Sequence, residues 1–296
     1  DRLVEAEHEA EKGDVILDEA TIESLGPRVI IKAWRQSPMT GARLGVVENL
    51  ENMSVPAYWP AIPPDALDEA VSKRWLLPPV YRRLVEGGGE FLAELRPAVA
   101  LFARFSGIDY DEDEEAEKKL DTFVQNVQEI LSRYESNLLQ VTIGDKGSSL
   151  YAAFGAPYAH EDDSIRAVNV ALELQELSTR LPYISPLQIG SCQGRLRTGA
   201  YGGTMRRTYG VLGDAVNTAA RLMQAADLGQ ILVCEDTVKQ TGDNFSWERL
   251  PPIQVKGKSE PQTVYSVTRR QQQATIRLQE PKYALPMVGR KEEQEL

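Results

Sequence analysis

RRTYGVLGDAVNTAARLM, residues Arg206 to Met223, runs from a short apolar strand through a Gly-Asp turn into an Ala-rich helix. The pattern predicts Asp214 at the helix N-cap, where a side-chain oxygen can satisfy an orphan backbone N–H. Asn217 and Arg221 lie four residues apart, so both project from one helical face, a single turn from each other. An amide and a guanidinium rooted near a helix N-terminus suit a phosphate whose charge grows during reaction, because both donate and the guanidinium keeps its proton. The same spacing also describes a surface helix with two solvated polar residues.

Other segments separate these readings. The Arg206–Met223 stretch resembles a signature segment of the class III nucleotide cyclases, the adenylate and guanylate cyclases. Val99 to Gly107, VALFARFSG, is similar to that family's first strand, and Val141 to Pro157, VTIGDKGSSLYAAFGAP, to its central hairpin. Val255 to Tyr265, VKGKSEPQTVY, is similar to its closing hairpin. Four separated motifs in the right order cover about residues 95 to 268.

Composition sets the outer limits. With 296 residues, 42% hydrophobic and 26% charged, the chain has the balance of a soluble globular protein, with length for one full domain and substantial flanks. It begins at Asp1 without Met and is read as a fragment of something longer. No apolar run approaches the ~18 residues of a membrane span, and no signal peptide opens the chain. The net charge of -11 argues against a nucleic-acid partner and against an anionic membrane surface. Cys192 and Cys234 lie in apolar segments without a metal-ligand neighbour, so they read as buried free thiols in a reducing cytoplasm. His8 and His160 are isolated, which leaves no histidine cluster.

Taken in order, Asp1 to about Leu50 reads as helix, strand, helix, strand. Sliding the chain by 216 residues places Gly13, Val15, Ile16, Leu17, Glu19 and Thr21 on Gly229, Ile231, Leu232, Val233, Glu235 and Thr237. Two copies of one unit imply tandem domains. The same shift lays Asp1 on Asn217 and Glu5 on Arg221, so residues 1–50 look like the tail of an upstream cyclase half whose donor pair has become carboxylates. Residues 51–94 form a connector punctuated by Pro56, Pro60, Pro63, Pro64, Pro78 and Pro79, with short helices expected at Asp65–Leu77 and Val80–Glu86. GGGEF at Gly87–Phe91 lacks the acidic ligand a diguanylate cyclase would carry.

The complete domain spans 95–268. Expected are a central strand at Val99–Phe105, an acidic run at Asp109–Glu117, a helix at Ala116–Tyr134 and strands at Asn137–Ile143 and Ser149–Phe154. The acidic run reads as a solvated helix start. A helix at His160–Arg180, a strand at Leu187–Gly194 and a Gly-rich turn at Thr198–Thr204 precede the quoted stretch. A strand at Gln230–Cys234 and a helix at Asp236–Thr241 follow it. The order β, α, β, β, α, β recommends an α/β, ferredoxin-like core with added elements. Gly257-Lys258-Ser259 is no P-loop, since Pro252 stands where its first glycine belongs. Residues 269–296 read as a linker, and Pro286 to Leu296 resembles the lead-in of the ATPase domains of large signalling proteins.

The resemblance implies attack of a ribose 3′-hydroxyl on the α-phosphate of ATP or GTP, giving a cyclic monophosphate and pyrophosphate with Mg²⁺ or Mn²⁺ as cofactor. In the family two aspartates hold the metals. Asp145, at the tip of the central hairpin, matches one; the other falls on Arg104, a charge reversal. Asn217 and Arg221 match the donors that orient the ribose and stabilise the transition state. Of the nucleotide-binding positions, Val141 stands where the family has a base-reading lysine and Gly210 where it has the polar partner; Phe105 and Gly107 complete the set. Family sites combine carboxylates of one half with the Asn-Arg pair of the other. The productive site would therefore pair Asn217 and Arg221 with an upstream half in the same chain, whereas Asp145 with Asp1 and Glu5 would make a degenerate pocket. The competing expectation is a degenerate module that binds nucleotide or a regulator and controls a downstream ATPase domain.

Overall fold

The computed structural model of the chain describes residues 2–51, 57, 60, 62–63, 66, 68–88, 92–144, 147–203, 206–254 and 261–271. They divide into two compact units, Asp1–Ser72 and Lys73–Leu296.

The first unit contains α1 (Arg2–Glu9), β1 (Ile16–Asp18), α2 (Glu19–Leu25), β2 (Val29–Gln36), β3 (Arg43–Leu50) and α3 (Glu69–Ser72). Its antiparallel sheet has the order β1-β3-β2. Asp18 caps α2 by accepting from the Thr21 backbone N–H at 2.9 Å, and Gly26 ends the helix with its N–H on the Ile22 carbonyl. Gly45 of β3 admits α2 closely, since a Cβ there would lie 2.6 Å from Ile22 Cδ1. Arg35 of β2 pairs with Asp14 at 2.6 Å. One closing strand was expected from the sequence and two are present. Residues 37–42 make a turn in which Gly41 N–H donates to the Ser37 carbonyl at 2.9 Å, so the apolar stretches on either side become β2 and β3.

The second unit contains α4 (Pro78–Val85), β4 (Glu94–Phe105), α5 (Ala116–Arg133), β5 (Asn137–Thr142), β6 (Ser148–Phe154), α6 (Asp163–Arg180), β7 (Gln188–Gly202) and β8 (Arg207–Leu212). It continues with α7 (Asp214–Ala225), β9 (Ile231–Cys234), α8 (Glu235–Thr241), β10 (Phe245–Ile253) and β11 (Gln262–Arg270). The sheet runs β10-β11-β9-β7-β4-β6-β5, with β8 paired to β7. Its β7-β4-β6-β5 part is antiparallel throughout and is built by the β4-α5-β5-β6-α6-β7 succession, the expected ferredoxin-like core. Alternation along β4 sorts the two faces. Val99, Leu101, Ala103 and Phe105 pack with Phe123 and Val127 of α5 and Val170 and Leu174 of α6. Ala98 and Ala100 face Ala215, Ala219 and Leu222 of α7. Each fully buried Leu, Val or Phe contributes about 1.5–3 kcal/mol.

Several boundaries differ from the sequence reading. β4 begins at Glu94, because Glu94 to Pro97 pair with Thr198 to Arg195 of β7. The Gly-rich segment expected to turn at Thr198–Thr204 instead stays extended to Gly202, held by pairing of Arg197–Gly202 with Leu212–Arg207. Gly199 permits this at φ 144°, where a Cβ would lie 2.7 Å from the Leu92 carbonyl oxygen. α6 starts at Asp163, after a loop in which His160 N–H donates to Asp163 Oδ2 at 2.8 Å. Asp214 is the first helical residue of α7 and Gly213 is the cap, without a side-chain hydrogen bond. β10 was not foreseen; it carries LPPI at 250–253, accommodated beside irregular pairing between Leu250 and Ile253. Much of the expected closing hairpin, residues 255–260, lies outside the described residues, as do GGGEF residues 89–91 and the stretch after 271.

The two units contain the same substructure. β9, α8, β10 and β11 repeat β1, α2, β2 and β3, and the sheet orders β9-β11-β10 and β1-β3-β2 correspond. Ile16, Leu17 and Asp18 pair with Val46, Gly45 and Leu44, as Leu232, Val233 and Cys234 pair with Ser266, Tyr265 and Val264. The second ladder repeats as well: Val29↔Leu50, Ile30↔Asn49 and Ile31↔Val47 correspond to Phe245↔Arg270, Ser246↔Arg269 and Trp247↔Val267. A register shift follows the second of these pairs in both copies. In the second unit β9 has β7 as its other neighbour; among the described residues no strand pairs with the corresponding edge of β1.

Candidate active site

α7 points its donors outward because its opposite face is made for close packing. A Cβ on Gly190 of β7 would lie 2.2 Å from the Ala219 carbonyl oxygen, and one on Gly194 would lie 2.7 Å from Ala215 Cβ. With Ala215, Ala219 and Leu222 against the sheet, helical spacing turns positions 217 and 221 to the other side. Asn217 is exposed and Arg221 half-buried. Among the described residues, no hydrogen bond or ion pair engages either side chain. An amide and a planar five-donor guanidinium are thus presented together and uncommitted, donors of a kind that can hydrogen-bond a phosphoryl group.

Directly before α7, Gly210 pairs with Gly199. A Cβ at 210 would sit 3.2 Å from the Tyr201 ring, so a larger residue would crowd the aromatic side chain. Tyr151, which nothing in the sequence singled out, donates its hydroxyl hydrogen bond to the Val211 carbonyl at 2.8 Å and ties β6 to β8. Burial pushes its phenol well above the usual range. A lone strand tyrosine gives no sequence signal for such a tie.

Arg104 lies at the end of β4, opposite Ser149 of β6 and Gln188 of β7. Its guanidinium lies against the β5–β6 turn, with Nε 2.8 Å from the place a Cβ on Gly147 would occupy. Val141 pairs with Leu150 and is 37% exposed, an apolar side chain at an accessible strand position. Phe105 is fully buried against Phe123, with ring centroids 4.7 Å apart, leaving its backbone as the part able to meet a ligand. Gly107 adopts φ 111°, and a Cβ there would lie 2.3 Å from the Tyr183 carbonyl oxygen, so both the backbone angle and the close approach call for glycine.

Asp145 and Asp1 lie outside the described residues. Glu5, on α1, accepts a hydrogen bond from the Thr40 hydroxyl. Its carboxyl is held below the usual range, chiefly by a hydrogen bond from Ser37 and then by that from Thr40. Among the described residues no cluster of three or more His, Cys, Asp or Glu side chains is placed to hold a metal ion. A guanidinium at Arg104 repels a cation, so the described groups do not fit a divalent ion. Gly210 lies on β8 and Asn217 and Arg221 on α7, while Arg104 and Val141 gather about the β5–β6 hairpin. Neither Asn217 nor Arg221 bonds to that second group. A groove lined by Asn126, Glu129, Arg133, Glu173 and Arg180 includes none of these residues. Among the described residues no helix is long and apolar enough to cross a membrane.

Comparison with known proteins gives consistent likenesses. A family model described as the adenylate and guanylate cyclase catalytic domain matches residues 100–268. Adenylate cyclase type 10 of Homo sapiens is 26% identical over 211 residues, which is 69% of this chain and 13% of that protein. The chain thus spans about an eighth of that relative's length. The crystal structure of the adenylyl cyclase CyaB from P. aeruginosa superposes with a TM-score of 0.56 at 21% identity, covering 61% of this chain and 97% of that one. The guanylate cyclase domain of RhGC from Catenaria anguillulae, solved in complex with GTP, gives a TM-score of 0.53 at 24% identity, covering 59% and 97%.

Proposed function

The chain belongs to the adenylate and guanylate cyclase catalytic domain family, and from that premise we propose that it supplies the transition-state donors of a tandem cyclase making cyclic AMP from ATP. In this reading residues 1–50 are the tail of an upstream half, 51–94 a connector, 95–268 the complete second half and 269–296 a linker toward an ATPase domain. The internal duplication supports the tandem part of the reading. The observation that carries the function is the outward, uncommitted pair Asn217 and Arg221 on α7, combined with a cation, Arg104, where the family has a metal-binding carboxylate.

Each residue has a distinct task. Asn217 orients the ribose through its amide, so that the 3′-hydroxyl oxygen can approach the α-phosphorus in line with the departing pyrophosphate. Arg221 meets the negative charge that grows on the phosphoryl oxygens as that bond forms and the bond to pyrophosphate breaks. Its fixed proton inventory and planar fork make the interaction strongest at the transition state. The carboxylates for divalent cations belong, in this reading, to the upstream half.

Arg104, together with Val141 and Gly210, also favours a second reading, in which the domain binds nucleotide or a regulator and controls a downstream ATPase without turnover. The two are separated by supplying an upstream half that carries both carboxylates and assaying ATP conversion with Mg²⁺ or Mn²⁺. Cyclic AMP formation supports the enzyme; tight binding of a non-cyclisable ATP analogue without product supports the module.

A further inference from the structure

The two cysteines, isolated in sequence, are neighbours in the fold. β7 and β9 run parallel with Ile189, Gly190 and Ser191 beside Ile231, Leu232 and Val233. One step further along both strands stand Cys192 and Cys234. Both side chains turn to the α7 face and pack with Ala215, Ala219 and Leu222. They are 5% and 9% exposed. The two sulfurs converge on one oxygen: Cys192 Sγ is 3.5 Å and Cys234 Sγ 3.9 Å from the Gln193 carbonyl. Cys234 Sγ is also 3.4 Å from Thr237 Oγ1, which accepts from Gln193 N–H at 3.0 Å.

A pair of thiols used only as apolar filler would not need adjacent strands, a common face and a shared acceptor. Neighbouring strands lie about 4.7–4.9 Å apart, within the Cα separation that a disulfide spans. We propose that Cys192 and Cys234 form an oxidisable dithiol beneath α7, a modification site whose reagent class is hydroperoxide. The Cys234 thiolate attacks the peroxide oxygen, breaking the O–O bond and leaving a sulfenic acid and hydroxide. The Cys192 sulfur then attacks the Cys234 sulfur; its proton and the sulfenic hydroxyl leave as water. Two thiols and one hydrogen peroxide thus become one disulfide and two waters, a two-electron oxidation reversed by dithiol reductants.

The unequal acidities of the pair fit this division of labour. The hydrogen bond between the two thiols lowers the Cys234 value and raises that of Cys192, which makes Cys234 the attacking sulfur. The first copy of the duplicated unit has Asp18 at the place of Cys234, and there a carboxylate accepts from Thr21 N–H at 2.9 Å. In that copy the corresponding N-cap place of α2 is taken by a carboxylate that accepts. This inference does not rest on nucleotide turnover.

The test exploits the presence of only two cysteines in the chain. The folded protein is treated with stoichiometric hydrogen peroxide, then unfolded in an alkylating agent and weighed by mass spectrometry. The expected product has lost two hydrogens, takes up no alkyl group, yields a linked Cys192–Cys234 peptide and regains both alkylation sites after dithiothreitol. In Cys192→Ala the expected product is a Cys234 sulfenic acid that dimedone traps, with no linked peptide. The proposal is overturned if the treated wild type still alkylates twice, if oxygen is added without loss of two hydrogens, or if only intermolecular dimers form.

Discussion

Gly26 and Gly242 close two helices of seven residues with nearly the same backbone angles, φ 60° and ψ -141° in one, φ 52° and ψ -137° in the other. Each hands the chain to a 3-10 turn and then to a strand. A Cβ would meet nothing within 4 Å at either position, so replacement by alanine is opposed by the backbone alone. Gly26→Ala and Gly242→Ala are each expected to destabilise by about 1–3 kcal/mol. Equilibrium denaturation of the two single variants checks this; a negligible change in both would mean that the shared geometry carries no conformational demand.

Asp18 gives the first unit an acid-sensitive contact. Its carboxyl is held below the usual value, first by the hydrogen bond to the Thr21 side chain and then by that to the Thr21 backbone. A depressed folded value means that the stabilisation is complete above the unfolded carboxylate value, about 3.9, and is lost as pH falls through the lower folded value. Asp18→Ala should therefore lower the urea midpoint at pH 7, and the gap to wild type should narrow on acidification below pH 4. A gap that widens in acid would reverse the assigned sign.

Val15 and Ile231 occupy equivalent places in the two copies but differ in surroundings, at 60% and 4% exposed. Ile231→Ala is expected to cost about 2–5 kcal/mol, whereas Val15→Ala in this chain should stay within about 0.5 kcal/mol. Denaturant unfolding monitored separately for the two units distinguishes them. Equal losses would contradict the environments assigned to the two positions.

The fold was legible where periodicity and spacing were strong. The β4-α5-β5-β6-α6-β7 order and the duplicated segment could be read because the apolar stretches alternate or recur at helical spacing. The continuation of β7 through Gly199 and Gly202 could not, since glycine-rich sequence signals a turn and only pairing with β8 makes it strand. β10 escaped for a similar reason at Pro251 and Pro252. The outward face of Asn217 and Arg221 followed from spacing, while the close seat of α7 on Gly190 and Gly194 needed the tertiary contact. The Cys192–Cys234 neighbourhood was invisible, because parallel strands bring together residues that share no local pattern.

The chain by itself is expected to form little cyclic nucleotide with ATP and either Mg²⁺ or Mn²⁺. A homodimer would repeat Arg104 where a carboxylate is needed, leaving a two-cation arrangement incomplete. A coupled pyrophosphate-release assay on the purified chain measures this directly. Sustained turnover would place a complete site within these residues and remove the need for another half.

The central assignment is most directly tested by turnover of the longer protein, containing the upstream half, with and without Arg221→Ala at saturating ATP. Binding of a non-cyclisable analogue is measured alongside. Loss of a donor that acts on developing charge is expected to lower turnover by ~10²-fold or more while leaving analogue affinity within a few fold, and Arg221→Lys should recover only part of the rate because an ammonium lacks the planar fork. Unchanged turnover in Arg221→Ala, beside a wild type that makes cyclic AMP, would contradict the role assigned to α7.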